Sequence, residues 1–303
     1  LQQTQLERRL GEPSIWGSLP GAALFRRGST VRRLLRLKLA RFALAFIALI
    51  TATGVFAPVV APYDPNELTT FTSEGPSLSH LLGTDPIGRD QLSRLLYGAR
   101  ASLQVSFSAA AIAIVFGSLL GLISAYFKGF LDFAIMRTVD ALLAMPGLIL
   151  PLTLLAALGG GLDTVTVALA IGYTPVIARL MRGQALSVME RDYVLAAESL
   201  GASTPRVILR HIGPNSFAPI IVAGSLAMSF AVIAEAGLSF LGVGIAPPTP
   251  TWGTMLSTGF TYLRTTPWVV AAPGISIFLL VLSFNFLGDA LRDVLDPRLR
   301  GRI

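Results

Sequence analysis

Residues 192–215, DYVLAAESLGASTPRVILRHIGPN, are one of the few long polar passages in a chain that keeps returning to apolar runs of membrane length. Asp192 offers an N-cap for a short helix over 193–200, because its carboxylate can accept from the free amides of a first turn. Gly201 is expected to stop that helix, since glycine tolerates the left-handed conformation that ends one. Thr204 and Pro205 predict a restart, with proline at the first helical position, where its missing N–H costs nothing. This second helix is expected to end at Gly213 and Pro214. On it Val207, Ile208, His211 and Ile212 share one side, while Arg206 and Arg210 lie one turn apart on another. The passage therefore reads as helix, glycine bend, helix. Its local pattern fits a plain connection between two membrane spans or a rigid foot that transmits force to a cytoplasmic partner. A DNA-reading helix-turn-helix has the same outline but would have to work with a membrane span on each side.

Outward from this stretch the composition decides the class. Of 303 residues 53% are hydrophobic and 14% charged, too apolar a balance for an ordinary soluble domain. There is no cysteine, so a disulfide framework and a thiolate metal site are both excluded, and the two histidines, His80 and His211, lie far apart. No metal site is expected. The net charge of +7 is read as a record of membrane orientation and not as a nucleic-acid footprint.

Six apolar runs, over 42–61, 102–126, 133–158, 164–181, 217–243 and 268–291, are each long enough to cross hydrocarbon at 1.5 Å per residue. The expected architecture is an all-α polytopic membrane protein with six transmembrane helices. A basic cytoplasmic segment (1–41) precedes the first span (42–61), which is read as a retained signal anchor. An extracytoplasmic segment (62–101) follows, then a membrane domain (102–291) containing the 192–215 loop, then a cytoplasmic tail (292–303). With both termini inside, the outer segments hold only Arg89, Arg94, Arg100 and Arg264 of the 24 basic residues, which also places 192–215 in the cytoplasm. Pro62, Pro65 and Pro76 break up the 62–101 segment, which is expected to hold an exterior loop and a short amphipathic helix.

Several polar residues fall inside these runs or at their edges: Asp132, Arg137 and Asp140 at the inner part of the third, Glu235 in the fifth, and Asn285 and Asp289 near the inner end of the sixth. A lone charge at mid-membrane costs on the order of 3 kcal/mol, so these side chains should face the bundle or a wet cavity. Asp140, Glu235 and Asn285 are candidates for the translocation path, against the plainer reading of helix-to-helix hydrogen bonds and ion pairs. Arg137 and Asp140, three residues apart, are expected to pair. Pro146, Pro151, Pro175, Pro219 and Pro273 are expected to kink or interrupt the spans. No pattern supports catalysis. Lys38 and Lys128 are the only lysines and neither follows a GxxxxG run, so no P-loop is present, nor is an HExxH or GxSxG motif.

The 192–215 stretch resembles the EAA loop of ABC importer permeases, whose pattern is Glu-Ala-Ala, three residues, Gly, and a proline thirteen residues later. Ala196, Ala197, Gly201 and Pro214 match that spacing, and the His211, Ile212, Pro214, Asn215 ending is similar to the dipeptide, oligopeptide and nickel branch. Leu195 departs from it, standing where the family has glutamate, with Glu198 three residues on. Leu82, Gly83, Thr84, Asp85, Gly88, Arg89 and Asp90 resemble the pre-domain segment of the C-type subunit, and EAGLSFLGVG with PPTPTWGTML at 235–256 is similar to the same branch. The segment 247–268 is expected to fold back as an exterior hairpin narrowing the outer mouth. The resemblance implies a type I ABC importer transmembrane domain with a cytoplasmic coupling helix. It further implies a homologous permease partner, two ATP-binding cassette subunits that hold ATP and Mg, and an extracytoplasmic substrate-binding protein that delivers peptides, with nickel or glutathione as alternative cargo. This chain itself would hold no cofactor. Tyr193, Ala196, Ala197, Glu198, Gly201, Arg206, Arg210 and Pro214 are the residues that the resemblance and the local pattern together mark for coupling. A membrane scaffold that moves nothing is the alternative from another class.

Overall fold

The structure, a computed structural model, describes residues 27–295, so of the expected terminal segments 1–41 and 292–303 the parts before 27 and after 295 lie outside the described residues. In chain order the helices are α1 (Arg27–Leu34), α2 (Lys38–Val55), α3 (Ala57–Val60), α4 (Gln91–Phe127), α5 (Gly129–Leu143), α6 (Ile149–Leu158), α7 (Leu162–Met189), α8 (Asp192–Ser199), α9 (Thr204–Phe240), α10 (Trp252–Thr261) and α11 (Pro267–Leu295). Among the described residues there is no strand, only one isolated bridge between Thr84 and Asp90. Five helices, α2, α4, α7, α9 and α11, are long and apolar enough to cross a membrane.

The third expected span is not one helix. Residues 133–158 fall into α5 and α6, separated at 144–148, where Pro146 lacks an N–H and Gly147 favours no helix; the Ile149 N–H turns back to the Pro146 carbonyl at 2.8 Å. The chain still climbs from the end that carries α8, here the near end, to the far end through these two pieces. Pro151 sits in the first turn of α6, while Pro175, Pro219 and Pro273 remain inside continuous helices, so of the five prolines only Pro146 lies in a break.

Boundaries moved where tertiary contacts set them. The short amphipathic helix expected before residue 102 is instead the first three turns of the 37-residue α4. Its start is fixed by Asp90, whose carboxylate accepts from the Ser93 N–H and Oγ, both at 2.8 Å, and meets His80 Nδ1 at 2.9 Å. Beside it, Asp85 accepts from the backbone N–H groups of Ile87 and Arg89 and from Arg89 Nε at 2.7 Å. The loop over 83–90 is thus a tight knot at the far end. Gly83, at φ +76, has no room for a side chain: a Cβ there would collide with the Glu74 carbonyl oxygen.

The core runs along α4 and α7, which lie parallel. Ala109, Ala113, Gly117, Gly121 and Ala125, each four residues from the next, are all buried and let the two backbones approach. A Cβ on Gly121 would stand 2.5 Å from the Ala178 carbonyl oxygen, and one on Gly117 2.7 Å from Ile177 Cβ. At the far end α10 folds back on α9 and α11 as expected for 247–268. Thr251 and Thr254 close a capping box at its start, and buried Trp252 donates from Nε1 to the Leu95 carbonyl at 3.0 Å.

Candidate coupling site and intramembrane polar groups

The 192–215 stretch forms a bent pair of helices at the near end. Asp192 is not the cap. Arg191 takes that position in extended conformation, its carbonyl accepting from Val194 and Leu195, and Asp192 lies within the first turn, where its charge still favours the helix N-terminus. The other end is a Schellman closure: the Ala202 N–H reaches the Ala197 carbonyl at 3.1 Å and the Gly201 N–H that of Glu198 at 2.9 Å, with Gly201 at φ +78. Glycine is therefore required by backbone conformation at 201, as expected, while no atom crowds the position.

The restart has Ser203 as the flanking residue, Thr204 first and Pro205 second, one place later than the sequence suggested. The expected stop at Gly213 and Pro214 does not occur. Residues Val207–Ile212 form a π turn, in which the Gly213 N–H bonds to the Ile208 carbonyl five residues back, and the helix continues into the membrane. The wider turn carries the chain past the Pro214 ring without a break. Asn215 Nδ2 donates to the His211 carbonyl at 2.6 Å and Ser216 Oγ to that of Ile212 at 2.9 Å, each a side-chain bond four residues back across the junction. The second helix of the bend and the fifth span are thus one continuous helix, α9.

The inner side of this pair is anchored. Val194, Val207 and Ile212 pack in one cluster with Met181, Ala185 and Val188 of α7, Leu122 and Ala125 of α4, and Ile220 of α9. Tyr126 Oη of α4 adds a long hydrogen bond to Thr204 Oγ1 at 3.3 Å. The outer side presents Ala196, Glu198, Arg206 and Arg210 to solvent, with Ala197 half-exposed. Leu195, Leu200 and Leu209 lie on the same open side, Leu200 being 88% exposed. Pro214 is half-buried at the base. Tyr193 turns inward instead: its ring joins the cluster, its hydroxyl is buried with no hydrogen-bond partner among the described residues, and burial pushes the phenol above its ordinary range, with Arg191 pulling the other way. Seven of the eight marked coupling residues are therefore brought to the exposed bend or its base, and Tyr193 belongs to the support beneath it. Leu195 on α8, Leu200 just after it and Leu209 on α9, opposite buried Val207, are exposed apolar residues outside the expected coupling set.

The polar residues within the spans take fixed partners. The expected Arg137–Asp140 pair does not form. Asp140 pairs with Arg179 of α7, and Asp132 takes a two-toothed contact from Arg182, with Nε and Nη2 each 2.6 Å from a carboxylate oxygen. Ser124 of α4 donates to the same Asp132 oxygen, so three helices meet there. Both carboxylates of α5 are instead met from the facing helix α7, Asp140 by Arg179 and Asp132 by Arg182. Arg137 is left exposed.

Glu235 is fully buried near the far end, accepting from Ser102 Oγ of α4 and Ser239 Oγ of α9, each at 2.9 Å. Ser239 also accepts from the Ile245 N–H, tying the turn after α9 to the same node. Asn285 Oδ1 of α11 accepts from Ser229 Oγ of α9 at 3.2 Å. Both are helix-to-helix hydrogen bonds, whereas Asp140 is half exposed. Among the described residues no group of histidines and carboxylates could hold a metal ion.

Residues 113–301 match the family described as binding-protein-dependent transport system inner membrane component, and residues 27–76 match the N-terminal TM domain of oligopeptide transport permease C. The chain is 44% identical to the di/tripeptide transport system permease protein DppC of Pseudomonas aeruginosa, over 85% of this chain and 87% of that one. It is 41% identical to the dipeptide transport system permease protein DppC of Alkalihalophilus pseudofirmus, over 89% of both. It is also 41% identical to the glutathione transport system permease protein GsiD of Pectobacterium atrosepticum, over 89% of this chain and 90% of that one. In fold it is similar to a chain of the inward-facing MetNI methionine ABC transporter, with a TM-score of 0.56 at 19% identity, covering 66% of this chain and 96% of that one. The helical membrane fold and these matches agree: the chain belongs to the binding-protein-dependent transport system inner membrane components, the permease subunits of ABC importers, and is a non-catalytic, multi-pass membrane subunit.

Proposed function

We propose that this chain is the C-type permease of a bacterial cytoplasmic-membrane importer for di- and oligopeptides, with the near end and both termini in the cytoplasm. It forms the translocation path with a homologous permease. Two partner ABC subunits, which bind ATP and Mg, grip the bend formed by α8 and the start of α9, and an extracytoplasmic binding protein delivers cargo to the far end. The observation that carries this reading is the bend itself: a Schellman-closed corner, open on its outer side and packed on its inner side against α4, α7 and α9 at once. A push on α8 has no soft joint to dissipate in. The π turn makes α9 continuous from the corner to the far end, so closure of the ATPases would rock α9, α7 and α4 as a body between inward-open and outward-open states.

The peptide cargo rests on the names of the relatives, and the glutathione permease at equal identity supports a second reading in which the cargo is a modified tripeptide. Nickel is the third. The test is uptake and ATP hydrolysis by this chain reconstituted in liposomes with its permease, ATPase and binding-protein partners. Stimulation of both by dipeptides or short oligopeptides is expected. Stimulation by glutathione or nickel alone would move the cargo and keep the permease role, and ATPase subunits that never associate with the chain would contradict the mechanism.

A further inference from the structure

The first described residues make a second feature that the transport reading leaves unused. α1 carries the sequence RGSTVRRL, and the turn after it leads through Leu35, Arg36 and Leu37 into α2 at Lys38. Arg32, Arg33, Arg36 and Lys38 are all exposed, and among the described residues none of them forms an ion pair. Val31 and Leu35 are exposed too, at 56% and 48%. The Leu35 N–H still bonds to the Val31 carbonyl at 2.9 Å, which keeps those two on one side, on a different arc from Arg32 and Arg33. The half-buried Leu34 and Leu37 complete the inward side, where α1 packs against α11.

The next helix indicates what covers Val31 and Leu35. Leu39, Phe42 and Leu49 on α2 are exposed in the same way, while Ala40 and Ala43 of that helix are buried. On a helix that crosses the bilayer, the open apolar stripe meets acyl chains. Exposed apolar residues thus occur on both helices on either side of the turn, and the exposed cations Arg32, Arg33, Arg36 and Lys38 cluster at the turn itself, at the near-end limit of the span. Apolar residues facing hydrocarbon with a basic arc next to them are the composition of a helix lying in the interface, and clustered cations next to a span attract anionic headgroups.

We propose that α1 and the turn after it form a binding site for anionic phospholipid, with Arg32, Arg33, Arg36 and Lys38 holding the phosphate groups of phosphatidylglycerol or its dimeric relatives and Val31 and Leu35 seated among the acyl chains. Because α1 rests on α11, the site lies beside the last span. It depends on the chain crossing a membrane but not on the cargo, the ATPases or the role of the 192–212 bend.

The chain lacks cysteine, so a Val31→Cys substitution in the full chain gives a single attachment point for a bimane fluorophore. The labelled chain is placed in nanodiscs containing graded mole fractions of brominated phosphatidylglycerol or brominated phosphatidylcholine with the same acyl chains. Quenching is expected from both lipids, with phosphatidylglycerol effective at a mole fraction on the order of tenfold lower. Replacing Arg32, Arg33, Arg36 and Lys38 together by Gln should abolish that preference while leaving quenching by phosphatidylcholine. Replacing the three arginines by Lys should keep it, which separates loss of charge from loss of fold. Equal quenching by the two lipids in the parent chain, or an undiminished preference in the Gln variant, would overturn the proposal. So would absence of quenching by either lipid, which would mean that protein covers the stripe. None of these readouts involves a transport partner, so failure here and failure of the permease mechanism are distinguishable.

Discussion

Gly201 is the residue on which the bend turns. Its φ of +78 costs a β-branched side chain about 1–2 kcal/mol, and no neighbouring atom adds to that cost. Gly201→Val should therefore insert and fold yet distort the corner, separating ATP hydrolysis from uptake, whereas Gly201→Asn, which tolerates the same conformation, should retain coupling. The comparison is made on transport per ATP hydrolysed; equal coupling in the two variants would show that the angle at 201 is immaterial. Tyr193 makes the opposite case. Its hydroxyl is buried without a partner among the described residues, so Tyr193→Phe should change stability by no more than about 0.5 kcal/mol, or raise it slightly, as read by thermal denaturation in detergent. A marked loss of stability there would mean that the hydroxyl is bonded. Gly201 was legible in the sequence because the left-handed stop is a local requirement. The inward turn of Tyr193 was not, because it depends on Val188 and Met189 of the preceding helix.

Between elements the decisive contact is α4 on α7. A side chain at Gly121 meets the Ala178 carbonyl, which is backbone and cannot rotate away, so Gly121→Val should cost about 1–3 kcal/mol and lower the thermal midpoint of the purified chain. The same change at Gly183, where nothing stands within 4 Å, should have little effect. Small residues at every fourth position from 109 to 125 were the available signal for this contact. Apolar run length identified where the spans lie, since hydrocarbon thickness acts on each run separately. It could not identify their ends: α4 starts where His80 and Asp90 meet across ten residues, and α9 passes Gly213 and Pro214 by widening into a π turn that Asn215 and Ser216 complete. Local rules read Gly-Pro as a stop because they contain no such remedy. The ion pairs failed for a related reason, since Asp132 and Asp140 find their arginines on α7, about forty to fifty residues away.

At the scale of the molecule, the near end gathers the exposed bend, the ion-paired junction of α4, α5 and α7, and the basic arc of α1, while the far end holds the 83–90 knot, the Glu235 node and α10. Stiff helices join the two ends, and α5 with α6 is the one crossing among the described residues that is split in the middle. On the proposed mechanism partner ATPases grip the bend and nothing at the other end. Because the chain has no cysteine, single cysteines can be placed at Ala196 or Leu200 on the bend and at Leu78, which is 99% exposed at the far end. Short bifunctional crosslinking of each variant in the assembled transporter then reads the grip itself. Crosslinks to the ATPase subunits are expected from Ala196→Cys and Leu200→Cys and none from Leu78→Cys; ATPase crosslinks from Leu78→Cys, or none from either position on the bend, would contradict the mechanism.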